Sequence, residues 1–172
     1  MGHVEEITFR PLELSDSQAY RDMMADPDIV KFAATVPVNP SLGWATERIQ
    51  DRNQSNDSRG PKEFGLFLLK DDHQRLVGNA LWFDASDGNT EIGYAIHADY
   101  RGKGLAQKAL QLILRHVRKT IGYKGRIYAG VAKDNPASMH ILEKANFVKG
   151  WDWESQSIGR GSSVQLWVYY FD

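Results

Sequence analysis

The chain has no cysteine among its 172 residues. That excludes disulfides, thiolate zinc sites and a cysteine nucleophile, and it fits a reducing, cytoplasmic setting. Neither charge dominates: 21 basic and 22 acidic residues leave a formal net charge of −1. No global basic field is present to draw in nucleic acid or an anionic membrane. No apolar run approaches membrane-spanning length, and Met1–Arg10 lacks a signal-peptide core. Met1-Gly2 opens as a myristoylation site would, but Glu6 stands where Ser or Thr is needed. His3, His73, His97, His116 and His140 show no metal-ligand pairing, so no metal is expected. No repeat, low-complexity tract or composition shift marks a boundary. Residues 1–172 read as one domain, long enough for a substantial core.

What the chain does contain is a Gly-punctuated basic turn at His97–Leu110, HADYRGKGLAQKAL. Before it, Glu91–His97 alternates and is rich in strand formers; after it, Leu105, Ala109, Leu112, Ile113 and Val117 recur at helical spacing. Arg101, Gly102, Lys103 and Gly104 therefore sit where a helix begins, with unpaired N–H groups and the positive dipole end exposed. In outline this is a phosphate-binding turn in a near-neutral protein, which points to a small anionic ligand. It lacks the Gly-Lys-Ser/Thr ending of a P-loop and the later glycine of a dinucleotide fingerprint.

Elsewhere, strands are expected over Ile7–Arg10, Phe64–Lys70, Leu76–Phe83, Thr90–His97, Arg126–Val131, Phe147–Ser155 and Ser163–Phe171. Asp71-Asp72-His73-Gln74 and Gly159-Arg160-Gly161 read as hairpin turns, and Asn53–Pro61 as a mobile loop. A capping box at Ser15–Gln18 predicts a helix from Asp16 to before Pro27, followed by a short helical piece at Asp28–Ala33. Further helices are predicted over Trp44–Asn53 and Gly104–Ile121. Another should open with Asn135 as N-cap and Pro136 as first residue, and end near Ala145 at a left-handed Asn146. The order β-α-α-β-β-β-α-β-α-β-β implies an α/β (α+β) domain, a mixed sheet with helices on both faces.

This order and two motifs together resemble the GNAT superfamily of N-acetyltransferases over nearly the whole chain. The family's pyrophosphate motif, Gln/Arg-x-x-Gly-x-Gly/Ala, matches Arg101-Gly102-Lys103-Gly104-Leu105-Ala106. A second, Asn-x-x-Ser followed by Glu-Lys-x-Gly-Phe, matches Asn135-Pro136-Ala137-Ser138 and Glu143-Lys144-Ala145-Asn146-Phe147. FRPLELSD and EIGYAI look like the branch containing ribosomal-protein N-terminal and spermidine acetyltransferases. The resemblance implies a mostly antiparallel seven-stranded sheet and acetyl-CoA as cosubstrate. The acceptor would be an amine, either a small molecule or a protein N-terminus. It also implies that Gly102–Ala106, flanked by Arg101 and Lys103, hold the pyrophosphate, with Lys108 within reach of a CoA phosphate. The strand through Tyr94, Ala95 and Ile96 would carry the pantetheine, with a backbone N–H near Tyr94–Ala95 polarising the thioester.

Many members place a Tyr at the position of Leu142 to protonate the departing thiolate, which Leu142 cannot do. Ser138 is then the best remaining donor in the motif, and Asn135 is a candidate contact for pantetheine or acceptor. Glu91 is the candidate general base. A lysine-like amine of pKa ~10.4 is neutral in only about one part in a few thousand at pH 7, a deficit on the order of 4–5 kcal/mol. An α-amino group of pKa ~8 loses only ~1 kcal/mol. With no cysteine to carry an acetyl group, direct attack in a ternary complex is expected. The alternative is a non-catalytic acyl-CoA-binding or sensing module. Phe32, Trp44 and Trp82 lie on segments that would border the acceptor pocket, with Trp44 the lid candidate and Trp82 the more core-like. Trp151, Trp153, Trp167 and Tyr169 are expected to pack the terminal hairpin. Lys108, Arg115, Arg118 and Lys119 read as the solvated face of the long helix. The terminal aromatic strands offer a dimer surface, leaving monomer and homodimer open.

Overall fold

The computed structural model describes residues 7–53, 57–70, 73–85, 87–156 and 163–172. Met1–Glu6, with His3, and parts of three expected turns (54–56, 71–72 and 159–161) lie outside the described residues. Seven strands form one sheet in the order β1-β2-β3-β4-β5-β7-β6. They are β1 (Ile7–Pro11), β2 (Glu63–Lys70), β3 (His73–Asp84), β4 (Thr90–Ile96), β5 (Ile127–Ala132), β6 (Val148–Gln156) and β7 (Ser163–Phe171). Every neighbouring pair is antiparallel except β4 and β5, which run parallel. The helices are α1 (Ser17–Met24), α2 (Pro27–Phe32), α3 (Leu42–Asn53), α4 (Leu105–Arg115) and α5 (Pro136–Lys144).

Side-chain alternation along the strands sorts the core into two clusters. Ile92, Ile96, Ile127, Ala129 and Val131 pack with Leu105, Ala109, Leu110 and Ile113 of α4 and Leu142 of α5. Phe67 and Leu76 pack with Tyr20, Met23 and Met24 of α1, Ile29 and Val30 of α2, and Ala45 and Ile49 of α3. The apolar stripe of α4 passes through Leu110, fully buried, rather than through the half-buried Leu112. Each such buried side chain contributes on the order of 1.5–3 kcal/mol.

Three local expectations are corrected. The capping box falls two residues earlier, where the Asp16 carboxylate accepts the Glu13 N–H at 2.8 Å. Arg10 fixes that carboxylate with bonds of 2.8 and 3.1 Å, so Leu14–Asp16 form a 3₁₀ turn before α1 begins. The long helix does not stay α-helical to Ile121: His116–Thr120 widen into a π turn, with Ile121 N–H on the His116 carbonyl at 3.0 Å. Arg118 is not a solvated side chain, because its guanidinium bonds the Tyr123 and Gly125 carbonyls at 3.0 and 2.6 Å and so ties down the exit from that turn.

Under α1 and α3 lies a buried polar cluster. Glu63 is fully buried and accepts from Tyr20 Oη at 2.5 Å, Asn79 Nδ2 at 2.7 Å and Arg48 Nε at 3.2 Å. Trp44 stacks on Tyr20 with ring centroids 6.0 Å apart, which closes this cluster.

Candidate active site

The parallel pair β4–β5 is short. Thr90 pairs with Ile127 and Glu91 with Tyr128, after which the two strands part. On its other edge β4 stays in register with β3 as far as Ile96, and the His97 N–H bonds the Val77 carbonyl at 2.9 Å. Alternation in an antiparallel ladder then turns the Ala95 and Gly93 amides toward β3 and the Ile92, Tyr94 and Ile96 amides toward the gap. Of the expected strand contacts, Tyr94 and Ile96 thus have backbone N–H groups available there, and Ala95 does not.

Beyond the gap the chain makes the Arg101–Ala106 turn. Gly104 is the N-cap of α4, with φ +78°, a left-handed conformation that costs glycine almost nothing. The first helical bond runs from Lys108 N–H to the Gly104 carbonyl at 3.1 Å. The N–H groups of Leu105, Ala106 and Gln107 therefore have no partner within the helix. Gly102, Lys103 and Gly104 are exposed, so an anion can reach these amides. The Arg101 side chain points elsewhere: it pairs with Asp26 at 2.8 Å and Asp28 at 3.0 Å, and its Nε bonds the Ile96 carbonyl at 3.2 Å. These contacts tie the start of α2 to the turn, beside a cleft of about 400 Å³ lined by Asp22, Met23, Pro27 and His97. Lys103 stays near the turn, with Nζ 5.0 Å from the Tyr100 ring centroid.

The start of α5 is built as the residues require. Asn135 Oδ1 accepts the Ser138 N–H at 3.2 Å, Pro136 occupies the first turn, and Asn146 ends the segment at φ +66°. Asn135 is thus already used as a cap through its amide oxygen. Leu142 is fully buried in the core. On the α4 side of β4, the Tyr94 hydroxyl is buried and makes no well-formed hydrogen bond. Burial pushes its pKa up, while the neighbouring Ser138 side chain pulls it down.

Glu91 faces the opposite side of the sheet, at the point where β4 and β5 separate. Burial raises its carboxyl pKa and the Asp87 charge adds to the rise, while the Gly130 N–H on β5 opposes it. A Cβ on Gly130 would sit 3.4 Å from Glu91 Oε1 and 3.3 Å from Leu166 Cδ1. The missing side chain leaves a notch that opens beside the carboxylate. Next to it the Tyr128 ring meets the Trp151 ring edge-on, with centroids 5.7 Å apart. Among the described residues no group of three or more His, Asp or Glu is arranged to hold a metal.

A family model described as an acetyltransferase (GNAT) domain matches residues 6–148. The chain belongs to the GNAT acetyltransferase family. The chain is similar to the uncharacterized N-acetyltransferase p20 of Bacillus licheniformis, 23% identical over 97% of this chain and 93% of that protein. It is also similar to the probable N-acetyltransferase YjcK of Bacillus subtilis (strain 168), 28% identical over 83% of this chain and 81% of that one. In fold it resembles a GNAT-family acetyltransferase from Bacillus anthracis, with TM-score 0.76, 20% identity and coverage of 97% and 95%. It also resembles spermidine N-acetyltransferase from Vibrio cholerae, solved with CoA and spermine, with TM-score 0.75, 18% identity and coverage of 96% and 94%.

In this acetyltransferase the aromatic residues agree with the sequence expectation at Trp82 and differ from it at Trp151 and Trp153. Trp82 is fully buried, with its indole N–H on the Pro61 carbonyl at 3.0 Å. Trp44 roofs the Glu63 cluster, and Phe32 carries the Lys31 ammonium 4.7 Å above its ring. Trp151 and Trp153 do not pack the hairpin but stand 45% and 58% exposed on the edge strand β6, whose register shifts between Lys149 and Asp152. Sequence reading missed Tyr94 as a side chain, together with Gly130, Tyr128 and Trp151. The glycine in an otherwise apolar IYAGVA strand was the available signal.

Proposed function

We propose that the chain transfers acetyl from acetyl-CoA to an amine by direct attack in a ternary complex. The observation that carries this reading is the parting of β4 and β5 between an exposed amide-lined turn on one side and the Glu91 carboxylate on the other. The amides of the Gly102–Ala106 turn hold the pyrophosphate, with Lys103 and the exposed Lys108 supplying charge. Arg101 adds charge to that site only by exchanging its pairs with Asp26 and Asp28. The gap-facing backbone of Tyr94 and Ile96 hydrogen-bonds the pantetheine arm as an added strand would. The Tyr94 N–H polarises the thioester carbonyl.

Glu91 receives the proton of the incoming ammonium, directly or through water, and the raised pKa of its carboxyl suits that task. On the far side of β4, Ser138 and the Tyr94 hydroxyl beside it are the donors available to the departing sulfur. Leu142 supplies none. The rest of the catalysis is positioning.

The test is to titrate acetyl-CoA, then screen primary amines, polyamines and N-terminal peptides for release of free CoA thiol. Release with at least one class is expected. Acetyl-CoA binding without release across the panel would leave a non-catalytic acyl-CoA-binding module in its place.

A further inference from the structure

The α1–α3 layer stops at β4. Its core cluster takes residues from β2 and β3 and is joined by Ala95, but it takes none from β5, β6 or β7. On that same face, beyond β4, register puts Tyr128 and Gly130 of β5 beside Tyr170, Val168 and Leu166 of β7. Trp153 lies opposite Leu166, and Trp151 reaches the Tyr128 ring. Among the described residues the result is an aromatic wall, left uncovered by the helices, that runs from the exposed edge strand to the Glu91 notch.

The charged side chain acting on Glu91 is Asp87, and Asp87 also interacts with the Tyr128 hydroxyl. Beside Tyr128, Arg126 lies 4.4 Å from the Tyr170 ring centroid but is already paired with Asp172 at 2.6 Å. Aromatic rings present negative faces. Among the described residues one carboxylate, Asp87, and two touching rings therefore stand beside a half-buried acid that has no cation among its hydrogen-bond and charge partners.

We infer that this wall is the acceptor's docking surface, and that the acceptor it fits is a primary ammonium on an apolar or extended chain. The ammonium reaches Glu91 through the Gly130 notch while its carbon chain lies along Tyr128 and Trp151. The inference rests on the transferase reading above for the identity of the reacting end. An open wall, rather than an enclosed pocket, admits an acceptor much larger than its amine, such as a chain terminus. Because the rings interact with a cation through their faces, a quaternary ammonium that cannot be acetylated should also bind.

The experiment uses the full chain loaded with CoA and two probes, n-butylammonium and n-butyltrimethylammonium, followed by the indole N–H resonances. Saturable shifts at Trp151 are expected. Trp151→Ala should weaken both probes by about three- to tenfold, the range of a partly desolvated cation–ring contact. Trp151→Phe should recover most of the loss, and CoA affinity should not change. Trp151 is exposed, so its removal opens no core cavity. Equal affinity in wild type and Trp151→Ala, or no saturable shift at all, overturns the inference. So does a concentration-dependent dimer that Trp151→Ala dissociates, because a second copy would then cover the wall. Free-thiol release is measured separately. Ammonium binding without thiol release would sink the transferase reading and leave the docking surface standing.

Discussion

Glu91 on β4 and Gly130 on β5 meet across the point where the two strands part, with Glu91 Oε1 3.4 Å from where a Gly130 Cβ would stand. The facing residue has no side chain, which leaves the carboxylate open on that side. That relationship joins the pH behaviour of this acetyltransferase to the shape of the proposed acceptor approach.

Glu91→Gln should lower kcat/KM for an alkylamine by about 10²- to 10⁴-fold, the usual worth of a positioned base. In wild type, activity should rise with pH through a pKa above the ordinary glutamate value of about 4.3, in the direction burial imposes. Because the folded-state pKa exceeds the unfolded one, the stability tied to protonated Glu91 is complete at low pH and is lost as pH rises through the folded value. Glu91→Gln should therefore melt at or above wild type at pH 7, with the gap closing toward pH 4. A lower melting temperature at pH 7 would contradict the burial argument.

Gly130→Ala places a methyl group 3.3 and 3.4 Å from Leu166 and Glu91. The fold should tolerate this, because Gly130 is exposed. The KM for amines should rise several-fold while acetyl-CoA affinity stays constant. Calorimetric titration beside steady-state kinetics separates the two.

Gly104→Val should weaken acetyl-CoA binding about tenfold or more, since a β-branched residue resists φ +78° at the cap of α4. No heavy atom lies within 4 Å of the added Cβ, so the effect is conformational together with blocked approach of the anion, not a clash in the free protein. Unchanged affinity would remove the turn from the binding site.

Ser138→Ala and Tyr94→Phe each delete one hydroxyl on the side of β4 away from Glu91. Each should lower kcat more than CoA affinity, and the double variant should lose less than the product of the two, because neighbouring donors couple. If neither parameter moves in either variant, both hydroxyls are structural.

Arg48→Met strips the guanidinium from buried Glu63. Removing one partner of a buried pair costs about 3–5 kcal/mol, so a clear fall in urea midpoint is expected. A midpoint within experimental error of wild type would show that Tyr20 and Asn79 suffice for Glu63.

Much of this was written locally. The Arg101–Ala106 turn, the Asn135 cap with Pro136 behind it, and the left-handed Asn146 each depend on a few adjacent residues whose backbone preferences leave little choice. Strand and helix periods likewise carried the seven strands and five helices, and motif spacing carried the family. The π turn was invisible because its residues also satisfy helical spacing. The true capping contact was invisible because it depends on Arg10, which lies outside the helix.

Contiguous residues alone specified the Arg101–Ala106 turn and the family of this protein, because those signals are local and set by φ/ψ preference. Long-range packing alone ties Arg101 to Asp26, turns Trp151 onto Tyr128 and sets Glu91 beside the notch at Gly130. Those pairings join residues 23 to 75 positions apart in the chain. Sheet register and the parting of β4 from β5 bring them together, and no local pattern encodes either.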